Sequence, residues 1–422
     1  VGGGNGYTRE CTECRHTVRI PLPQIRKRVI YLDQFLISNI TKALDPEARS
    51  HARVLEQPFW LEVFKRLDIL IKLQLLVCPD SMFHTDESLL SGDPSYKSLR
   101  DVYEHLSGGN TFYDHNTITR FQVHRQFENY LAGNPDEPLE LVAERVMHGN
   151  PHEWRGRLRV GVDMKPFPGQ LEAIHKERDT QYEGLKSVFE RWQKEKGRDF
   201  MEWVREEAYG FGKGTFLAHR AYLQRQMEIP QKYAEEYLAG KEPDVSLEDI
   251  FPPASSELIN DLMRTVSMQG FSGEEAFKKM AEYLFSKYLV DIPTVHISSL
   301  LYAGIARKAA HGQKAYPNKG TFTDVNAIAS LLPYCDAVFI DNGMAALLRE
   351  HPIDEEMRKY PARVFSPNTK EEFLSYLDEI RTSADAHHLE IVADYYGEAK
   401  PYLGLLSHRR EQEEMEKLAD DI

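Results

Sequence analysis

Four acids, Asp33, Glu87, Asp324 and Asp341, stand where carboxylates could act together. Asp33 ends the β-branched and aromatic run Arg28-Val29-Ile30-Tyr31-Leu32, and Asp341 follows the compact apolar run Ala337-Val338-Phe339-Ile340. Glu87, adjacent to a second candidate in Asp86, lies past a third run, Leu75-Leu76-Val77-Cys78-Pro79, and Asp324 sits near the start of a helical pattern. Carboxylates about 4 Å apart repel by roughly 4 kcal/mol per pair at an effective dielectric near 20. A cluster of them therefore calls for a cation or for bound protons. Oxygen donors alone select hard ions, Mg²⁺ or Mn²⁺, over zinc. Mg²⁺ keeps several waters, so only some of the acids need touch it. A cation held this way makes a water nucleophilic near neutral pH and stabilises charge on phosphate oxygens. That is the chemistry of phosphodiester hydrolysis, and it needs no cysteine or serine nucleophile. Asp33 and Asp341 are the expected primary ligands, because strand ends fix position best. Glu87 and Asp324 are expected as direct or water-mediated ligands. His84 and His296 are candidates to orient these groups or to pass a proton, although a hydrogen-bonded structural role explains either one. Asp324 also has a plain alternative, since an acid in a first helical turn favours the helix dipole.

The elements that must position these acids are legible around Gly320–Glu350, which reads as helix, tight connection, buried strand, helix. Ala327, Ile328, Leu331 and Leu332 share one helical face, and Pro333 falls near the helix end, where a lost backbone donor costs least. Ala337–Ile340 has the continuous apolar character of a parallel-sheet strand. Ligands of open α/β sheets bind beyond the carboxyl ends of the strands, where Asp33 and Asp341 stand. Two further stretches, Val54–Ile71 and Glu371–Ile380, read as helices, and Ala362–Ser366 as a last strand.

This order, a strand ending in Asp33, a strand leading to His84-Thr85-Asp86-Glu87, a helix with Asp324 and a strand ending in Asp341, resembles the PIN-domain (PIN-like) nuclease superfamily. The resemblance covers roughly residues 26–97 and 291–383, and its most specific part is Asp324 paired with Asp341 across one helix and one strand. It implies a Rossmann-like sheet with flanking helices, a quartet of acids holding Mg²⁺ or Mn²⁺, and hydrolysis of RNA in preference to DNA, with single strands the accessible form. The chain departs from compact members in the long separation of Glu87 from Asp324.

The expected fold class is therefore α/β, interrupted by a large, mostly α-helical insertion. Residues 1–25 form an N-terminal segment, 26–97 and 291–383 the two halves of the α/β domain, 98–290 the insertion, and 384–422 a charged helical tail. The insertion would wall the site, bind a protein partner or make an oligomer. Within it, Leu185, Val188, Phe189 and Trp192 keep helical spacing, and Ser272-Gly-Glu-Glu275 has a capping-box pattern. Gly210-Phe-Gly-Lys-Gly214 reads as a loop and lacks the full phosphate-loop pattern. Leu158–Asp163 could be a short strand. A helix is expected from about Leu300 to His311, with Arg307, Lys308 and then Lys314 bringing positive charge toward Asp324 as the expected substrate-binding residues.

The 422 residues carry a net charge of −14, which excludes a uniformly basic nucleic-acid-binding surface but leaves room for local patches. One such run is Arg15, Arg19, Arg26, Lys27 and Arg28, with no acid between them, though a solvated strand edge explains it as well. No stretch approaches the roughly 20 apolar residues of a membrane helix, and a cytoplasmic protein is expected. Cys78 and Cys335 lie in apolar runs and read as buried thiols. Cys11-x2-Cys14, with His16 nearby, supplies at most three zinc ligands, and no second such pair follows. Zinc at Cys11/Cys14 is the lesser expectation; the pair is ordinary thiols unless its complement precedes Val1. Two rival readings remain: a PIN-like module that binds RNA or protein without cutting, and a helical interaction protein whose acids are scattered.

Overall fold

The computed structural model describes residues 6–90, 95–155, 170–241 and 251–397. The expected strand at 158–163 and the tail from 398 onward lie outside them. The described chain opens with an antiparallel hairpin, Gly6–Glu10 (β1) and Thr17–Pro21 (β2). Arg28–Leu32 (β3) and Leu76–Val77 (β4) follow, then a small antiparallel pair, Thr111–Phe112 (β5) with Met147–His148 (β6). Ala337–Phe339 (β7) and Arg363–Phe365 (β8) complete the strands. β3, β4, β7 and β8 form one parallel sheet in the order β4-β3-β7-β8.

Side chains alternate across this sheet with the period of two that a strand imposes. Val29 and Tyr31 of β3 join Val77 and Val338 in a core beneath the helices Pro293–Ala310 and Thr321–Leu331. Ile30 and Leu32 join Leu76, Ala337 and Phe339 on the other face, against the helices Gln34–Leu44, Phe59–Lys72, Ser95–Ser107 and Lys370–Thr382. Both faces are covered, which is why the strands read as unbroken apolar runs. The fold is mixed α/β, with a small parallel sheet and many helices.

A third core lies among helices. Val123 and Phe127 meet Ala208, Leu262, Met280 and Leu284, from the helices His115–Leu131, Phe200–Leu238, Ala254–Met268 and Gly273–Leu284. The helix Gln170–Trp192 buries Leu185, Phe189 and Trp192, but these join the core that covers the sheet. The helical region is thus partly continuous with the sheet's packing. The expected boundary at 97/98 falls inside the helix Ser95–Ser107, whose Leu99, Val102, Tyr103 and Leu106 belong to the sheet core.

Three local readings are corrected. Gly210–Gly214 is not a loop but lies inside the helix Phe200–Leu238. Gly212 is needed there for close packing, since a Cβ would sit 2.0 Å from the Leu284 carbonyl oxygen. The helix placed at Leu300 begins at Pro293, whose missing donor is harmless in the first turn. Ser272 precedes its helix but makes no side-chain cap hydrogen bond.

Candidate active site

Asp33 and Asp341 are fixed by the same local device on neighbouring strands. The Asp33 N–H donates to the Phe339 carbonyl at 2.9 Å, so the residue leaves β3 still bonded to β7. Its Oδ1 accepts the Phe35 N–H at 3.2 Å, which makes it the N-cap of the helix Gln34–Leu44. Asp341 caps the helix Asn342–Leu348, its Oδ1 accepting the N–H groups of Gly343 and Met344 at 2.6 and 3.2 Å. Aspartate suits both positions because its short carboxylate reaches orphan N–H groups at a positive helix end. From β3 the chain winds outward one way to β4, and later the other way to β7 and β8. The two aspartates therefore stand at the switch in winding, where open α/β sheets form their ligand crevice.

The other two acids reach the same place from helices. Asp324 lies in the first turn of Thr321–Leu331, and Glu87 lies within Met82–Leu90. Asp33, Glu87, Asp324 and Asp341 all line one cavity, together with Tyr31, Gln34, Phe83, His84, Thr323 and Ile340. The cavity holds about 10 Å³. That is room for one water-sized occupant, not for a nucleotide. All four acids are half-buried.

Their charges act on one another. Burial, reinforced by Glu87 and Asp341, pushes the Asp33 carboxyl up to about 7 against the opposing Phe35 N–H and His84. Burial, then Asp33, Asp341 and Glu87, pushes Asp324 up to about 8, with Arg178 opposing. Glu87 is raised by burial, again against Arg178. Such a cluster is relieved by a cation or by protons. Among the described residues no three Asp, Glu, His or Cys side chains stand as a ready-made ligand set. The oxygen-only donors nonetheless suit Mg²⁺ or Mn²⁺, cations that complete their shells with water.

His84 lines the cavity from beneath. It is 1% exposed and lies between the Tyr31 and Tyr103 rings, with centroids 5.1 and 4.5 Å away. Its Nε2 donates to the Leu32 carbonyl at 2.8 Å, and its Nδ1 lies 3.3 Å from Asp80 Oδ1. The ring thereby braces the end of β3 immediately before Asp33. Asp80 also takes hydrogen bonds from the Ser81 N–H and Arg100. Burial works against its charge, but His84 and Arg100 hold the carboxyl down at about 2.

The expected substrate cations do not line the cavity. Arg307 and Lys308 both pair with Glu350, at 3.1 and 2.6 Å, and Lys314 is exposed elsewhere. His296 is also away from the cavity, bonded to the Val290 carbonyl and facing Glu356. The basic run ends at Arg28, at the opposite end of β3 from Asp33, where Arg28 and the Val29 N–H bind Asp336. The cation whose field reaches Glu87 and Asp324 is Arg178. Its helix, Gln170–Trp192, packs against Met82–Leu90 and Thr321–Leu331. Nothing in the local sequence marks Arg178, because its place depends on how that helix crosses the sheet domain.

Compared with known proteins, the chain matches no family model, no curated protein and no solved structure. Among the described residues no helix is long and apolar enough to cross a membrane.

Proposed function

We propose that this chain is a PIN-like, divalent-metal-dependent nuclease that hydrolyses phosphodiester bonds, acting on single-stranded RNA in preference to DNA. The observation that carries the reading is the cavity shared by Asp33, Glu87, Asp324 and Asp341, supplied by four separate segments at the carboxyl edge of a parallel sheet. Asp33 and Asp341 would hold Mg²⁺ or Mn²⁺ from strand ends fixed by backbone hydrogen bonds. Glu87 and Asp324 would complete the donor set directly or through water. The cation, when bound, supplies charge stabilisation on the phosphate and a water more easily deprotonated. Asp324 and Glu87, where they do not touch the cation directly, would orient the attacking water. Arg178, whose positive field reaches Glu87 and Asp324, would offset part of the repulsion an anionic substrate meets there. The cavity admits an ion alone, so the phosphate would approach from its mouth, under the wall made by Gln170–Trp192.

A second reading, a PIN-like module that binds RNA or protein without cutting, draws on the lack of a ready-made ligand triad and on acids that hold protons near neutrality. The test is cleavage of labelled single-stranded RNA and DNA with Mn²⁺, Mg²⁺ or EDTA, by the protein and by Asp341→Asn. Cleavage abolished by both EDTA and the substitution supports the nuclease. RNA binding without cleavage, unchanged in Asp341→Asn, supports the binding module.

A further inference from the structure

The helix Phe200–Leu238 is longer than the packing that holds it. Its buried residues are Trp203, Val204, Ala208, Gly212 and Thr215, and His219 Nδ1 lies 3.1 Å from Ser256 Oγ. None of residues 216–238 is buried. At 1.5 Å per residue that arm is roughly 35 Å long. Helices draw most of their stability from packing an apolar face, so an arm of this length with no buried residue calls for a cover.

The arm carries such a face. Met227, Tyr237 and Leu238 are 74, 76 and 84% exposed, and Leu217 and Leu223 are exposed as well. Leu223, Met227, Pro230, Ala234 and Tyr237 alternate four and three residues apart, and all five are exposed. That spacing draws one line along a helix, the seam of a two-helix coiled coil. Contiguous apolar surface of this kind marks an interaction site. The charges beside the seam say which way a partner runs. Lys232 is used within the arm, facing Glu236 at 3.9 Å. Arg220, near one end, and Glu235, near the other, make no ion pair among the described residues.

We propose that two copies of this chain pair antiparallel along this seam as a two-fold dimer. With the axis between Met227 and Pro230, Met227 of each copy faces Pro230 of the other, and Leu223 faces Ala234. Each larger side chain thus meets a smaller one. The same register sets Leu217 beside Leu238, and Arg220 beside Glu235, on one flank and twice over by symmetry. A parallel pair would bring Arg220 to Arg220 and Glu235 to Glu235, and like charges there disfavour it. A second copy is therefore the occupant the charges select, because each half of the arm supplies what the other half lacks. No residue of the arm lines the acid cavity, so the dimer stands apart from the nuclease reading.

The test measures the mass of the full chain by sedimentation equilibrium over a micromolar concentration series. Twice the mass of the chain is the expected result. Met227→Glu puts a charge on the seam beside the axis in both copies and should weaken the dimer roughly 30-fold or more. Arg220→Glu and Glu235→Arg should each weaken it about tenfold, and the two together should restore it to within about threefold of the parent. All three positions are exposed, so far-ultraviolet circular dichroism should show unchanged helix content. A chain that stays monomeric throughout, its stripe left to another segment or another protein, would overturn the proposal. So would a dimer indifferent to Met227→Glu. A double charge reversal that fails to restore association would exclude the antiparallel register and overturn it equally.

Discussion

Asp33 and Asp341 do the same job on adjacent parallel strands: each caps a helix with one carboxylate oxygen, and both face a single cavity. Capping alone explains an acid at either position, since aspartate and asparagine are both favoured there. It does not explain why Glu87 and Asp324, which lie inside helices and not at strand ends, are drawn to the same space. The shared cavity is what separates a metal-binding reading from a purely structural one.

Substitutions at Asp341 divide the two roles. Asparagine keeps the cap to Gly343 and Met344 and removes the charge, so stability in denaturant should change by no more than about 0.5 kcal/mol. Cleavage should fall roughly 100-fold or more, because cation stabilisation of the transition state is worth several kcal/mol. Alanine should lose cleavage to the same extent and about 1 kcal/mol of stability besides. An asparagine variant that cuts at the parent rate would remove Asp341 from the chemistry.

Stability should depend on pH and on divalent metal together. Asp33 and Asp324, pushed up to about 7 and about 8 in the folded chain, return to about 4 when it unfolds. The folded state thus holds protons that the unfolded chain releases. The resulting stabilisation is complete below about pH 4 and is lost as pH rises through about 7 and 8. Thermal unfolding in EDTA should show a Tm that declines by a few degrees between pH 5 and 8. Mn²⁺ at 100 times its Kd should restore about 2.7 kcal/mol at pH 8 and much less at pH 5, where protons compete. Asp324→Asn should flatten the profile and raise the Tm in EDTA at pH 8. A Mn²⁺ shift of equal size at both pH values would argue against binding at these acids.

Asp80 should behave in the opposite sense. It is 4% exposed and held down at about 2 by His84 and Arg100, so its contribution is present above about pH 4 and is lost as pH falls through 2. Asp80→Ala would leave the buried His84 and the Arg100 guanidinium without their shared partner. Removing one member of a buried pair costs about 3–5 kcal/mol, measurable by urea unfolding at pH 7. A change under about 0.5 kcal/mol would show that Asp80 is not the anchor of His84.

The parts of this architecture that could be read in the sequence are those set by local pattern. The apolar runs at Arg28–Leu32 and Ala337–Phe339 became neighbouring parallel strands because burial on both faces demands continuous apolar residues. An acid just past each strand has its place fixed by it, so Asp33 and Asp341 were legible as positions. Arg178 was not, nor was the commitment of Arg307 and Lys308 to Glu350, because both depend on how distant helices pack. The glycines at 210–214 misled for a related reason. Gly favours turns by its backbone freedom, but at Gly212 what is required is the missing side chain.

That reading of Gly212 can be tested against its neighbours in the same helix. In an exposed helix interior, Gly→Ala gains up to about 1 kcal/mol from helix propensity. Gly210 and Gly214 are exposed, and a Cβ at either would meet nothing within 4 Å, so Gly210→Ala and Gly214→Ala should be neutral or modestly stabilising. At Gly212 the added carbon would lie 2.0 Å from the Leu284 carbonyl oxygen and 2.7 Å from Leu289 Cδ1. The obstacle includes backbone, so a rotamer change cannot relieve it, and the helices Phe200–Leu238 and Gly273–Leu284 would have to separate. Overpacking of this kind costs about 1–3 kcal/mol, which should outweigh the propensity gain. Urea unfolding of the three alanine variants reads the difference directly, because backbone propensity is common to all and only the packing changes. A Gly212→Ala variant as stable as its two neighbours would mean that these helices do not make the close contact seen here.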